Sequence, residues 1–346
     1  MQSGIISHTL SNERLFYASK LCGVQMSIDI LMIIGFCLAA YSIVGNDVPQ
    51  TLGTFISSNA HRPWWMLWLY TSTILTVVLL YGWWVSGIGD ASYGRLETIP
   101  FPKEGMTWLY VIPPLILLFL TRFGIPVSTT FLVLTIFSPS SLSGMLTKSI
   151  MGYVVAFIVA IIIYRFVVKK VTIYFSQTRH EPTPKTWIAI QWVATGFLWS
   201  QWLIQDLANI FVYVPRVVPF WFMLFAIAVF VTLLGVVFYQ RGGAIQNIID
   251  TKTGVQDVRS ATIIDFMYAI ILLVFKELSN IPMSTTWVFL GLLAGREFAM
   301  AMHLEGVGKR LTSRNVSKDA MKLMLGLVVS ILLATVLPWL YYWIEG

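Results

Sequence analysis

The sequence predicts an all-α polytopic membrane protein. Of its 346 residues, 57% are hydrophobic and only 11% are charged, and the apolar residues are collected in long uncharged runs. An average soluble domain has roughly a quarter of its residues charged. Most of the runs reach the length of about 20 residues that a helix needs to cross a bilayer. They are Ile30–Asn46, Pro63–Gly89, Gly105–Thr121, Phe123–Thr147, Ile150–Tyr164, Thr186–Gln205, Val217–Gln240, Leu278–Gly295 and Leu323–Ile344.

The net charge of +7 comes from the loops between these runs. Basic residues are concentrated at 165–185 and at 309–322, so the positive-inside rule predicts that both loops are cytoplasmic. We therefore expect lipid bilayer around the protein and no nucleic-acid partner. Residues 1–26 lack the features of a cleaved signal peptide. Cys22 and Cys37 predict neither a disulfide nor a metal site, because no ligand-like residues accompany them.

The chain contains an internal repeat. Residues 123–130 (FGIPVSTT) recur 156 positions later as residues 279–286 (SNIPMSTT), and residues 63–67 match residues 219–223 at the same offset. Further upstream, one aspartate of each half lies at a similar offset. We therefore expect an N-terminal segment at 1–26, a first repeat at 27–170, a basic cytoplasmic linker at 171–185 and a second repeat at 186–346.

Each repeat is expected to contain a first helix that ends at its Asp, a second long helix, a polar loop, a re-entrant helical hairpin centred on Pro-x-Ser-Thr-Thr, and a final helix. This order gives an odd number of crossings, so the second repeat enters the membrane in the opposite sense. The sequence thus predicts two inverted-topology repeats with broken helices. We expect a multi-pass protein of the plasma (inner) membrane, with the loop at 88–104 and both termini outside.

The repeated Pro-x-Ser-Thr-Thr motif points to an anion site. Its proline breaks the helix, its serine suits the N-cap of a new helix, and its threonines and first-turn N–H groups can bind an anion. A single copy would be read as a kinked helix, but two copies at matched positions favour a cradle for a tetrahedral oxyanion. The predicted oxyanion-binding residues are Asp47, Ser128, Thr129, Thr130, Asp206, Ser284, Thr285 and Thr286.

Asp47 and Asp206 each end an apolar run at what should be bilayer depth. An unpaired carboxylate there costs a few kcal/mol or more, so each needs a partner. A bound cation or the proton of a protonated phosphate could be that partner. Either arrangement would couple the movement of the anion to Na⁺ or H⁺. For one Asp alone, a helix-end cap at the interface is the alternative, and the matched pair disfavours it.

At these residues the chain resembles the inorganic phosphate transporter (PiT) family. The duplicated signatures of that family are a Gly-Ala-Asn-Asp-x-Ala-Asn segment and a later Pro-Val-Ser-Thr-Thr segment. Here Asp precedes Ser by 81 residues in the first repeat and by 78 in the second. The resemblance implies phosphate bound between the Ser-Thr-Thr segments, and Na⁺ as coupling ion with no other cofactor. The sodium ligands it implies by position are Asn46, Asp47, Asp206 and Asn209. The amide oxygens of Gln50 and Gln205 are next to them and complete the predicted sodium-binding set.

The sequence departs from the family pattern, which marks a divergent member. The first repeat has Pro49-Gln50 where the family has Ala-Asn, and the second has Gln205 where the family has Asn. Phe131 and Trp287 follow the Ser-Thr-Thr segments, where many members have His. Because a longer Gln and a proline replace one amide ligand, we expect the sodium site of the second repeat to be the more intact.

The sequence therefore predicts a sodium-coupled phosphate transporter and no enzyme. The alternatives are a sulfate permease of the same fold, a proton-coupled phosphate symporter and a transport-silent membrane receptor. Both carboxylates favour phosphate, because a protonated phosphate can donate a hydrogen bond and sulfate at neutral pH cannot. Residues 87–90 resemble the Gly-x-Gly-Asp of intramembrane aspartyl proteases, but we interpret them as a Gly-rich loop. Arg122 is expected at the interface between membrane and water. The sequence is also compatible with a homodimer.

Overall fold

The structure is a computed structural model that describes residues 28–86, 89–102, 105–123, 127–165, 183–243, 246, 258–278 and 280–301, with single positions between 321 and 343. Every regular element in these ranges is helical. The helices are α1 (Ile30–Ser58), α2 (Trp64–Val85), α3 (Ile112–Arg122), α4 (Thr135–Phe137), α5 (Leu142–Ile163), α6 (Lys185–Asp206), α7 (Ala208–Phe211), α8 (Phe220–Tyr239), α9 (Val258–Leu278) and α10 (Thr285–Ala301). A 3₁₀ turn at Trp108–Val111 precedes α3, and a π-helical turn at Thr130–Leu134 precedes α4.

Five helices within the described residues are long and apolar enough to cross a membrane. They are α1, α2, α5 with the turn before it (Pro139–Ile163), α8 and α9. Large apolar side chains such as Val77, Trp84 and Phe119 are exposed on the outer faces, as expected for contact with lipid. The chain is therefore an all-α polytopic membrane protein, as the sequence predicts.

Helix α9 is a span that is missing from the uncharged runs of the sequence, because Arg259 and Asp265 interrupt its apolar residues. Both oxygens of Asp265 accept hydrogen bonds, one from Thr54 of α1 and one from Thr195 of α6 at 2.6 Å. The carboxylate is thus partnered by hydroxyl groups of neighbouring helices, which is the usual condition for an acidic residue inside a membrane protein.

The prediction that the first helix ends at Asp47 is wrong. Helix α1 continues through Asp47 and Pro49 as far as Ser58. Pro49 removes one backbone hydrogen bond, but the helix around it is buried, and tertiary packing holds it together. In the second repeat α6 does end at Asp206, and α7 follows after Leu207.

Matching helices of the two repeats run in opposite directions. Helices α2 and α8 begin 156 positions apart, so they are equivalent in the repeat. Trp64 at the start of α2 packs against Tyr239 at the end of α8, with ring centroids 5.6 Å apart. Trp83 near the end of α2 packs against Phe220 at the start of α8, at 5.4 Å. The pair is antiparallel, as inverted repeats require.

The first helices of the two repeats show the same relation. Phe36 near the start of α1 packs against Phe211 at the end of α7, with centroids 5.4 Å apart. Asn59, just after α1, donates to the side chain of Gln191 near the start of α6, at 3.0 Å. The segment 1–26 and nearly all of the linker 171–185 lie outside the described residues, so those boundaries and the side of each terminus stay predictions.

A close contact between α5 and α10 fixes the position of the second Ser-Thr-Thr motif. Gly291 and Gly295 of α10 face Ala156 and Ala160 of α5, and a Cβ atom on Gly291 would lie 2.5 Å from the Tyr153 carbonyl oxygen. Small residues four apart let membrane helices approach this closely. The start of α10 is therefore held against α5.

The antiparallel packing predicts which exposed positions share a side of the membrane. Ala60 and Gln240 lie at one end of the α2–α8 pair, and Thr98 and Val217 lie at the other. Single cysteines at these positions in a cysteine-free background should react with an impermeant maleimide as two pairs. Because the basic linker precedes α6, Ala60 and Gln240 should be labelled from the cytoplasm. Labelling of Ala60 and Val217 from the same side would contradict the inversion.

Candidate functional site

The two Ser-Thr-Thr motifs begin helical segments in the same way. Ser128 Oγ accepts a hydrogen bond from the Phe131 amide at 3.3 Å, and Ser284 Oγ accepts one from the Trp287 amide at 3.4 Å. This is the N-cap arrangement that the motif predicts. Pro282 lies in the non-helical segment before its serine, whereas Pro126 lies outside the described residues.

The last threonine of each motif reaches across to the other repeat. Thr130 Oγ1 donates to the backbone oxygen of Met283 at 3.1 Å, and Thr286 Oγ1 donates to the backbone oxygen of Val127 at 3.4 Å. Met283 and Val127 occupy the same position in their motifs, directly before the serine. The two hydrogen bonds are therefore reciprocal, and they bring both helix N-termini to the interface between the repeats.

The middle threonine of each motif lies beside the aspartate of its own repeat. Thr129 Oγ1 donates to Asp47 Oδ2 at 3.0 Å, and the Thr285 side chain is next to the Asp206 carboxyl group. Asn46 Nδ2 donates to Asp47 Oδ1 at 2.6 Å. Each repeat thus brings an aspartate and a motif threonine together, although they are about 80 residues apart in sequence.

Asn209 connects the two repeats. Its Nδ2 donates to Asp206 Oδ1 at 2.9 Å and also lies 3.2 Å from Thr129 Oγ1 and 3.3 Å from Thr130 Oγ1. Gln50, at the place of the matching amide, donates instead to the Asn46 backbone oxygen of its own helix at 2.9 Å. The departure from the family pattern at Gln50 therefore leaves a cross-repeat contact on one side only.

Unpaired buried oxygens are concentrated in the predicted sodium ligands. Five of the six residues have a side-chain oxygen that accepts no hydrogen bond from any described residue: Asn46 Oδ1, Gln50 Oε1, Gln205 Oε1, Asp206 Oδ2 and Asn209 Oδ1. A buried acceptor left without a donor costs roughly 1–3 kcal/mol. Carboxylate and amide oxygens are the ligands that hard cations prefer, so these residues fit a small cation.

All twelve predicted site residues are buried, and none is more than 5% exposed. Two cavities of the described part are lined by none of these twelve residues. One, of about 310 Å³, is lined by Tyr41, Arg122 and Gly242 among others, and one, of about 500 Å³, is lined by Lys148 and Ile281 among others. Arg122 is exposed, in agreement with an interfacial position. The cradle is closed to solvent, and a ligand can enter it only if helices move.

Three further polar residues near the site have no motif in the sequence that marks them. The Tyr268 hydroxyl donates to the Thr285 backbone oxygen at 3.0 Å, and Lys148 Nζ donates to the Ile281 backbone oxygen at 2.8 Å. Arg95 is buried and acts electrostatically on Asp206. Lys148 lies between two apolar runs, and a lysine at such a position indicates a functional residue. Nothing in the local sequence distinguishes Arg95 from a solvated loop residue.

Asp90 organises a turn. Asp90 Oδ1 accepts hydrogen bonds from the Ser92 amide at 2.7 Å and from its hydroxyl at 2.6 Å, and Oδ2 accepts one from the Gly94 amide at 2.8 Å. A carboxylate with three local donors serves its own loop. This agrees with a Gly-rich loop and not with a protease aspartate.

No family model matches the chain, and no curated protein matches its sequence. Among solved structures it is similar to a chain titled "The sodium-dependent phosphate transporter", with a TM-score of 0.56 and 16% identity. The match covers 91% of this chain and 98% of that chain. The chain is therefore an integral membrane protein that shares the fold of a transporter over nearly its whole length.

The reciprocal threonine bonds should contribute to stability. Thr130→Val and Thr286→Val keep the side-chain shape and each remove one buried hydrogen bond between the repeats. Thr130→Val takes this donor from the Met283 carbonyl oxygen and should cost roughly 1–3 kcal/mol, whereas the Val127 carbonyl oxygen keeps Asn46 Nδ2 at 3.0 Å, so Thr286→Val should cost about 1 kcal/mol. We expect both variants to unfold at a lower temperature in detergent than the wild type. Thr73→Val is the control, because the exposed Thr73 hydroxyl bonds only within its own helix. If both motif variants melt at the wild-type temperature, other contacts hold the two repeats together.

Proposed function

We propose that the chain is a secondary active transporter of inorganic phosphate, driven by sodium, that works by alternating access around the paired motifs. The observation that supports this most strongly is the reciprocal pairing of two capped helix N-termini, each beside a buried aspartate. The shared fold with a protein titled as a sodium-dependent phosphate transporter agrees with it. Inverted repeats around a central site are common among secondary transporters.

Phosphate suits the chemistry of the cradle. The first N–H groups of a helix have no partner within the helix, and the residues after Ser128 and Ser284 supply such groups at two converging termini. Asp47 and Asp206 are hydrogen-bond acceptors beside them. Phosphate at neutral pH carries a proton that it can donate to a carboxylate, whereas sulfate would meet only repulsion there. Sulfate is therefore the second candidate substrate.

Sodium suits the unpaired oxygens. The carboxylates of Asp47 and Asp206 are close enough to repel each other, and cations bound to both repeats would offset that repulsion. Asp206, Asn209 and Gln205 each offer an unpaired oxygen within about one helical turn. A proton on one carboxylate would also relieve the repulsion, which makes proton coupling the alternative mechanism.

Transport requires the closed cradle to open. The Thr130 and Thr286 hydroxyls are engaged with the opposite motif, so they are not available to a ligand in this conformation. In the proposed cycle, the motifs separate toward one side of the membrane, phosphate and sodium bind, and the repeats close again before they open to the other side. Sodium favours the loaded state because it neutralises the carboxylates that would otherwise repel an anion.

Reconstituted protein provides the functional test. Proteoliposomes with an inward sodium gradient should accumulate radiolabelled phosphate, and a potassium gradient of the same size should not drive uptake. Excess unlabelled phosphate should compete, and sulfate should compete poorly. Uptake driven by a proton gradient alone and indifferent to sodium would favour the proton-coupled alternative. Uptake of sulfate in preference to phosphate would contradict the proposed substrate.

The asymmetry between the repeats predicts a ranking of variants. Asn209→Ala removes an amide that touches Asp206 and both motif threonines, so uptake should fall at least about tenfold, as for loss of two to three hydrogen bonds. Gln50→Ala removes an amide bonded only within α1 and should be milder. Asp206→Asn should abolish the sodium dependence. Equal losses from Gln50→Ala and Asn209→Ala would contradict the assignment of the better ion site to the second repeat.

A further inference from the structure

Arg95 is a buried arginine whose guanidinium group has no hydrogen-bond partner among the described residues. The residue is 2% exposed, and both Nη1 and Nη2 are unpaired. Buried arginines are normally paired, because an unsatisfied charge in a protein interior is costly. The guanidinium group carries five donors in a rigid fork that fits two oxygens of an oxyanion.

The loop around Arg95 is held in place, so the position of the residue is set by the fold. The Gly89 backbone oxygen accepts a hydrogen bond from Val218 at 3.2 Å, and the Ile99 backbone oxygen accepts one from Arg216 Nη2 at 2.7 Å. Between these two anchors, Asp90 closes its turn and the Arg95 amide donates to the Ser92 backbone oxygen at 3.2 Å. A side chain on such a loop can be preorganised for a ligand.

Electrostatic interactions connect Arg95 with Asp206 of the second repeat and with Lys148. Burial lowers the pKa of Arg95 to about 10, and the neighbouring Asp206 carboxylate opposes this, so the guanidinium stays charged at neutral pH. Lys148 lies close enough to be repelled by Arg95. The next residue, Ser149, accepts a hydrogen bond from the Ser284 amide at 2.8 Å. Lys148, which interacts electrostatically with Arg95, therefore lies beside the helix terminus of the second motif.

We propose that Arg95 binds the transported oxyanion directly, by donating from both terminal nitrogens to two of its oxygens while the anion lies at the Ser284 terminus. This inference rests on the proposed function. An anion at that place would pair both unsatisfied nitrogens and offset the repulsion between Arg95 and Lys148. It would also explain how a site with two carboxylates tolerates a negatively charged substrate, since Arg95 supplies the compensating charge.

The competing role for Arg95 is that of a structural counter-ion for Asp206. The two roles differ in what they do to sodium. A counter-ion of Asp206 would alter sodium binding when it is removed, whereas an oxyanion ligand would alter phosphate binding alone. Arg95 makes no hydrogen bond to Asp206, whose Oδ2 is itself unpaired, and this geometry favours the oxyanion role.

The test compares purified wild type, Arg95→Gln, Arg95→Lys and, as a control, Arg122→Gln, which changes an exposed arginine outside the cradle. Equilibrium binding of radiolabelled phosphate at fixed sodium gives the anion affinity, and a sodium titration of melting temperature without phosphate gives the sodium affinity. Arg95→Gln should weaken phosphate binding about 10- to 100-fold, and Arg95→Lys less, because it keeps the charge and loses the fork. Both Arg95 variants should keep the wild-type dependence of melting temperature on sodium. Arg122→Gln should match the wild type in both measurements.

Wild-type phosphate affinity in Arg95→Gln would overturn the proposal, as would a change of sodium affinity, in either direction, as large as the change of phosphate affinity. If Arg95→Gln fails to fold, Arg95→Lys tests the proposal. An unchanged phosphate affinity in Arg95→Lys would exclude binding of the anion by both terminal nitrogens of Arg95. If the wild type prefers sulfate, the same variants should weaken sulfate binding. Wild-type protein that binds neither anion contradicts the proposed function itself, whereas anion binding that ignores Arg95 contradicts only the role of this residue.

Discussion

The reciprocal hydrogen bonds between the two Ser-Thr-Thr motifs are the contact on which the rest of the site depends. Thr130 and Thr286 each bond to the backbone of the opposite motif, and this places two helix N-termini at one point between the repeats. Polar backbone at membrane depth is stable only when it is buried in protein or lines a cavity. The antiparallel α2–α8 pair and the close α5–α10 contact provide that burial.

The site is less symmetric than the repeat that builds it. Helix α1 runs unbroken past Pro49 and Gln50, whereas the second repeat breaks after Asp206 and uses Asn209 to contact the first motif. Lys148 of the first repeat bonds to the Ile281 backbone beside the second motif, and Arg95 of the first repeat interacts electrostatically with Asp206 of the second. The two repeats therefore supply two similar helix termini, whose polar surroundings differ.

The sequence alone identifies residues that the structure brings together, because the Ser-Thr-Thr motifs and the aspartates recur at similar offsets. The matched offsets of the motifs and aspartates imply one shared site, and the structure places these residues in mutual contact. The failures concern partners that lie far away in sequence. Asp265 looks like an interruption of a span until Thr54 and Thr195 are seen beside it, and Pro49 looks like a helix end until the burial of α1 is known. Arg95 lies in a loop that reads as solvent-exposed.

Thermodynamic linkage between sodium and phosphate tests the central proposal most directly. If both ligands stabilise the same loaded arrangement of the two repeats, sodium must raise the affinity for phosphate, and phosphate must raise the affinity for sodium by the same factor. Calorimetric titration of phosphate into purified protein over a series of sodium concentrations, at constant ionic strength with potassium, measures this. We expect phosphate affinity to rise steadily with sodium. A phosphate affinity that is the same in sodium and in potassium would contradict a shared, ion-coupled site.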